Sequence, residues 1–247
     1  MKQGFVIPVY RHGRTAGPLA EKCAASGLPV ILIDDGNDGE NRILLEEWSA
    51  KTPGLFLVRL EKNRGKGKAV AKGLEKAEEL GLTHVFQIDA DGQHDIEQAA
   101  FFLEESIRHP DKVICGFPEF DDHAPRSRVA GRKISNFWAA VSTLSGELKD
   151  VLCGFRVYPL EPALPIVRSP FFSRRMGYDA ELLVRLYWKK VFPVYHPIKV
   201  SYPKDGISNF RVIRDNLQLS WMFTRLCIGM LIRLPMLILI NIERSKE

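Results

Sequence analysis

Short apolar runs alternate with stretches of helical spacing from the start of the chain. Residues 4–10 form an apolar run closed by Pro8, residues 13–25 read as a helix, and residues 29–33 form a second run ending in Asp34-Asp35-Gly36. Asn37-Asp38-Gly39 opens a helix through Trp48, residues 55–60 give a third strand, residues 65–80 a helix, and residues 85–88 a fourth strand. A helix over 96–108 and a strand over 113–117 continue the pattern. The strands are continuously apolar instead of alternating, as expected when helices cover both faces of a parallel sheet. The predicted fold is α/β, a mostly parallel central sheet flanked by helices.

The pattern changes after Phe117. Residues 118–133 are polar, carry Arg126, Arg128, Arg132 and Lys133, and show no strand signal, so they read as a long loop beside the site. Residues 134–144 read as a helix and 151–158 as a strand broken by Gly154. Pro159, Pro162, Pro165 and Pro170 punctuate the next segment, and 178–189 again have helical spacing. There is no internal repeat.

The tail, 217–242, is strongly apolar, but Arg225, Arg233 and Pro235 interrupt it, leaving no uncharged run of about 18 residues. Trp221, Phe223, Leu226, Ile228 and Leu231 beside Arg214, Arg225 and Arg233 fit amphipathic helices lying on an anionic membrane surface. A helix packed on the sheet, or a homo-oligomer interface, would be equally apolar. The expected division is a domain over 1–212 and an amphipathic tail over 213–247.

Composition narrows the function classes. The 247 residues can bury a full core, and 45% hydrophobic with 26% charged residues excludes wholesale disorder. A net charge of +5 and a pI of about 9.0 admit phosphorylated ligands, anionic lipid or nucleic acid. The basic residues are confined to one loop and the tail, with no finger, helix-turn-helix or aromatic RNA-binding signature, so no nucleic-acid partner is expected. Cys23, Cys115, Cys153 and Cys227 show no Cys-x-x-Cys spacing and read as reduced core residues. No charged-then-apolar leader precedes Phe5, so a cytoplasmic location is expected.

The chemistry concentrates where the fourth strand ends, at Asp89-Ala90-Asp91-Gly92-Gln93-His94. Two carboxylates at the carboxyl end of a strand in an open α/β sheet suit Mg²⁺ or Mn²⁺ that keeps some waters and binds substrate phosphates. The same residues also read as a turn with local Asx hydrogen bonds. Gly65-Lys66-Gly67-Lys68 opens a helix and favours an anion, but Val70 and Leu60 stand where dinucleotide and Walker loops need glycine. No Gly-x-Ser-x-Gly elbow and no His-Glu-x-x-His is present, so nucleophilic hydrolysis has no support.

Taken together, Ile7-Pro8-Val9-Tyr10, Ile33-Asp34-Asp35-Gly36, Asn63-x-Gly65-Lys66-Gly67 and Asp89-x-Asp91 resemble, in order and spacing, family 2 glycosyltransferases of the GT-A fold. Cys153-Gly154-Phe155-Arg156-Val157-Tyr158, Tyr178-Asp179-Ala180-Glu181-Leu182 and Asp205-Gly206-x-Ser208 look like the polyprenyl-phosphate and dolichyl-phosphate mannosyl- and glucosyltransferase branch. The resemblance covers residues 4–212 and implies inverting transfer from a nucleotide-diphosphate sugar to a lipid-linked acceptor, by a peripheral enzyme at the cytoplasmic membrane face.

Carried onto this chain, the resemblance implies that Pro8, Tyr10 and Asp35 hold the nucleobase, with Lys66 also on the nucleotide. Asp89 would take the ribose or metal, and Asp91 with Gln93 the cation. Arg126, Arg128, Arg132, Lys204 and Arg211 would bind phosphate. Asp179 or Glu181 would be the base if the acceptor is a hydroxyl, and an ionised lipid phosphate would need none. Arg11-His12 departs from the Asn-Glu common in this branch. The competing readings are a noncatalytic nucleotide-sugar or lipid-binding subunit and a sugar-phosphate nucleotidyltransferase, although Pro8-Val9-Tyr10-Arg11-His12 is not the glycine-rich loop the latter needs.

Overall fold

The computed structural model describes residues 1–120, 126–200 and 211–246, and among these a seven-stranded sheet lies between two layers of helices. The first half is a series of strand-helix units: β1 (Gln3–Val9), α1 (Gly13–Ala24), β2 (Val30–Asp34), α2 (Gly39–Lys51), β3 (Leu55–Arg59), α3 (Lys66–Glu79), β4 (His84–Gln87), α4 (Ala99–Arg108) and β5 (Val113–Phe120). The second half comprises α5 (Arg126–Thr143), β6 (Arg156–Pro159), α6 (Leu160–Val167), α7 (Tyr178–Tyr187), β7 (Pro193–Val200), α8 (Val212–Ile232) and α9 (Leu234–Arg244). The sheet order is β3-β2-β1-β4-β6-β5-β7, with every neighbouring pair parallel except the two made by β6.

β1 shows why its run is continuously apolar. Val6 enters a core shared with α3, α6, α7 and buried residues of α8 and α9, while Phe5, Ile7 and Val9 enter a second core with α1 and α4. Successive side chains point to opposite faces, and both faces are covered. Burying each such side chain contributes about 1.5–3 kcal/mol.

Several elements differ from the sequence expectation: β5 runs on to Phe120, and the strand read over 151–158 begins only at Arg156. The basic stretch read as a loop is helical from Arg126 onward. The buried seam of α5 is Ser135, Ala139, Ser142 and Thr143, small and mostly polar, so hydrophobic periodicity does not mark it. α6 forms despite Pro162 and Pro165, anchored by five buried residues, Leu160, Ala163, Leu164, Ile166 and Val167. β7 carries Pro193 and Pro197 and lies at the sheet edge, where a missing N–H costs no ladder bond.

The strand order reverses at β1, which pairs β2 on one side and β4 on the other. Ligands of open α/β sheets bind outside the carboxyl ends of the strands at such a switch point. Pro8 sharpens the crevice. Val9 accepts a bond from Asp35 on the β2 side and Val6 one from Ile88 on the β4 side, so by alternation Pro8 faces β4, with no N–H to give.

Candidate active site

Beyond Gln87 the chain leaves the carboxyl edge of the sheet and presents Asp89. Lys66, the first residue of α3, places its Nζ 2.7 Å from Asp89 Oδ1 and 2.8 Å from Oδ2, and 3.1 Å from Asp179 Oδ2. The Lys66 side chain is 20% exposed, and its ammonium is held by two carboxylates. Burial works against its charge, but Asp179 and Asp89 outweigh burial and hold its pKa above the ordinary lysine value. Gly65 caps this helix with φ 97°, and a Cβ there would stand 2.7 Å from the Arg174 carbonyl, so the chain reaches Lys66 only with glycine.

Gly154 makes room for Asp89. β6 runs antiparallel to β4 with Gln87 opposite Arg156, which brings Gly154 beneath the carboxylate. A Cβ at Gly154 would lie 2.4 Å from Asp89 Oδ2 and 2.6 Å from Cγ.

Asp179 and Glu181 sit in the first turn of α7 and point apart. Asp179, 4% exposed, accepts from Lys66 on Oδ2 and from Gln87 Nε2 on Oδ1 at 3.2 Å. Glu181, 2% exposed, instead accepts from the Ser173 N–H at 2.9 Å, Arg225 Nη2 at 3.1 Å and Arg185 Nη1 at 3.3 Å. Of the two acids, the one that meets Lys66 is Asp179.

Asp35 is committed within the fold. Its carboxylate accepts from Arg64 N at 2.7 Å, Gly65 N at 2.9 Å and Asn63 Nδ2 at 2.9 Å, and thereby shapes the turn that delivers Lys66. Burial raises its pKa against the pull of those hydrogen bonds. Asp34 is equally engaged, accepting from Asn37 N and Nδ2 and from Arg59 Nε, each at 2.7 Å. Tyr10, just past β1, lies half-buried under the Arg11 guanidinium, 5.3 Å from ring centroid to Cζ. Arg11 itself has φ 64°, a left-handed backbone unusual for arginine, and its N–H donates to Asn37 Oδ1 at 2.7 Å.

Asp91 is half-buried, and its Oδ1 accepts the Gln93 N–H at 3.0 Å, an Asx-type turn. Burial lowers the pKa of His94 against the pull of the nearby Asp89 and Asp91. Among the described residues no three His, Cys, Asp or Glu converge as a closed metal site. Asp89, Asp91 and the Gln93 amide oxygen are hard donors of the type a divalent cation takes, and in this structure both oxygens of Asp89 are turned to the Lys66 ammonium.

The basic residues divide. Arg126 and Arg128 lie in the first turns of α5. Arg132 donates to both oxygens of Asp150, at 2.7 and 2.6 Å, and that carboxylate also takes the N–H groups of Leu152 and Cys153 just ahead of Gly154. The Arg211 side chain is exposed at the start of α8, its N–H donating to Asp215 at 2.7 Å. Lys204, with Asp205, Gly206 and Ser208, lies outside the described residues. Sequence reasoning missed Gln87 and Arg156, both wholly buried and bonded to Asp179. The signal was present: each is a polar residue inside a strand covered on both faces.

A doubly wound sheet with acidic side chains gathered at its switch point is the GT-A architecture on which glycosyltransferases are built. The chain belongs to one family of them: residues 5–183 match the family described as Glycosyl transferase family 2. An uncharacterised protein of Methanocaldococcus jannaschii is 29% identical over 217 residues, 82% of this chain and 90% of that protein. A dolichyl-phosphate beta-glucosyltransferase of Dictyostelium discoideum is 29% identical over 166 residues, 62% of this chain; the match spans 49% of that enzyme, about half its length. An undecaprenyl-phosphate mannosyltransferase of Micrococcus luteus is 24% identical, covering 73% of this chain and 75% of that enzyme. Among solved structures, glucosyl-3-phosphoglycerate synthase from Mycobacterium tuberculosis in complex with Mn²⁺ and uridine-diphosphate-glucose has a TM-score of 0.67 at 15% identity, over 93% of this chain and 78% of that one. At that identity the likeness speaks for the fold alone.

Proposed function

We propose that the protein transfers a sugar, with inversion, from a nucleotide-diphosphate donor to a lipid-linked phosphate at the cytoplasmic face of a membrane, with the help of Mg²⁺ or Mn²⁺. The observation that carries this reading is the Asp89–Lys66–Asp179 cluster at the β1/β4 switch point, a cation held between two acids where a diphosphate would lie. The relatives named for transfer to dolichyl and undecaprenyl phosphate support the acceptor class.

The partners of Asp179 point the same way. It is 4% exposed, with Oδ2 turned to Lys66 and Oδ1 to Gln87, so little of the carboxylate faces an incoming hydroxyl. A phosphate acceptor is already ionised and needs no base. In the single displacement, an acceptor phosphate oxygen forms the bond to the anomeric carbon as its bond to the donor diphosphate breaks. The nucleoside diphosphate leaves, and no proton is transferred.

Asp89, Asp91 and Gln93 would hold the cation, which supplies charge neutralisation for the departing diphosphate. Lys66 adds a fixed positive charge beside it, in a partly buried site where such charge counts for more than in water. Tyr10, with the Arg11 guanidinium above it, offers a flat surface for the base. The apolar faces of α5 and α8 would rest on the lipid: Ile134 and Phe137 are each 61% exposed, Leu217 66% and Trp221 63%.

A thermal-shift and turnover screen of UDP-glucose, UDP-N-acetylglucosamine and GDP-mannose, with and without Mn²⁺, tests the donor half of this reading. One donor is expected to raise the melting temperature in a Mn²⁺-dependent way, and Asp91→Ala is expected to lose both that shift and at least 10²-fold in turnover. A flat screen, or full turnover in Asp91→Ala without metal, would overturn it.

A further inference from the structure

Gln87 is the last residue of β4 and is wholly buried. Its Nε2 donates to Asp179 Oδ1 at 3.2 Å and to the Gly154 carbonyl at 3.3 Å, while its Oε1 has no partner among the described residues. Directly across the antiparallel β4–β6 pair stands Arg156, also wholly buried. Its guanidinium donates to the Asp179 carbonyl at 2.8 Å, the Asp150 carbonyl at 3.3 Å and the Tyr158 hydroxyl at 3.4 Å, and its Nε is unpartnered among the described residues.

Neither residue suits its place on packing grounds. A buried amide oxygen with no donor carries its full desolvation penalty. A buried guanidinium bonded to neutral oxygens instead of a carboxylate carries a larger one. Methionine would fill either space without those two penalties, at the cost of leaving the Asp179 oxygen that each residue faces without its donor. Two such residues side by side, both bonded to one acid, mark a site built around the geometry of that acid.

We propose that Gln87 and Arg156 are positioning residues that lock Asp179 against the sheet. Arg156 holds the backbone of the first turn of α7, and Gln87 holds Oδ1, so the carboxylate cannot rotate and Oδ2 is turned to Lys66. Asp179 then serves as the anchor that keeps the Lys66 ammonium at Asp89, ready for the donor diphosphate. This rests on the reading of the crevice as a donor site and adds which residues set its geometry.

The experiment uses the full chain and two readouts, the melting temperature and calorimetric binding of inorganic pyrophosphate with Mn²⁺. Gln87→Met, which strips a buried donor from Asp179 Oδ1, is expected to fold with a lowered melting temperature and to bind pyrophosphate at least tenfold more weakly. Arg156→Met is expected to weaken binding similarly, and Arg156→Lys to recover part of the loss, because the cation is restored while the second hydrogen bond is not. A purely structural role predicts a lower melting temperature in Gln87→Met with unchanged binding by the folded protein, and that unchanged binding would overturn the proposal. If the wild-type chain binds no pyrophosphate with Mn²⁺, the donor-site reading itself fails, whereas equal binding by wild type and Gln87→Met removes the positioning role alone.

Discussion

Gly154 shows how much a single residue decides here. A methyl group in its place would stand 2.4 Å from Asp89 Oδ2, well inside contact distance, and the carboxylate and the Asp150–Phe155 turn cannot both stay where they are. Gly154→Ala is therefore expected to lower kcat/KM for the donor by about 10²-fold, the scale of a misplaced catalytic contact. Donor kinetics beside a thermal melt check this, and unchanged kinetics would show that Asp89 is not held in working position by this turn. The residue level was legible in part. Asp89, Asp91 and Lys66 stand at strand and helix ends that spacing alone locates. The separation of Asp179 from Glu181 follows from helical geometry, since residues two apart diverge. What could not be read is which acid is free: Asp35 is bound by Asn63, Arg64 and Gly65, a contact across 28 to 30 residues that no local pattern announces.

At the level of elements, the tail is tied to the catalytic half by polar contacts as well as apolar ones. Arg225 of α8 reaches Glu181 of α7, the Ser173 hydroxyl and the Phe171 carbonyl, while Met222, Phe223, Leu226 and Met230 enter the core. The opposite face of α8 stays outside, with Ile213, Leu217, Trp221, Ile228 and Leu231 each more than half exposed. No single helix among the described residues is long and apolar enough to cross a membrane; α8 and α9 meet that measure only as a pair bent by 83°. Such a face suits the plane of a lipid surface. Leu217→Glu with Trp221→Glu is expected to lower co-sedimentation with phosphatidylglycerol vesicles at least tenfold while leaving the melting temperature in place. Unchanged sedimentation, or a dimer dispersed by the same pair, would assign the face to something other than lipid. The first five strands and their helices were readable because unbroken apolar runs alternate with helical spacing, and in β1, β2 and β4 those runs are buried on both faces. α6 and β7 were hidden by prolines that a short anchored helix and an edge strand tolerate, and the start of α5 by a small, polar buried seam.

Across the whole molecule, two helical layers close both faces of one sheet, leaving its carboxyl edge as the place where polar groups gather. The sequence was sufficient for that architecture because it follows from the order of apolar runs and turns. It was not sufficient for the chemistry of the acceptor, which depends on how the bonds of Asp179 are already spent. The most direct measurement is therefore transfer itself, with the donor selected by the screen, Mn²⁺, and a short-chain polyprenyl phosphate set beside the corresponding polyprenol. Labelled sugar is expected to appear on the phosphate and not on the alcohol, because an ionised phosphate needs no base. Transfer to the alcohol at a comparable rate would contradict the account.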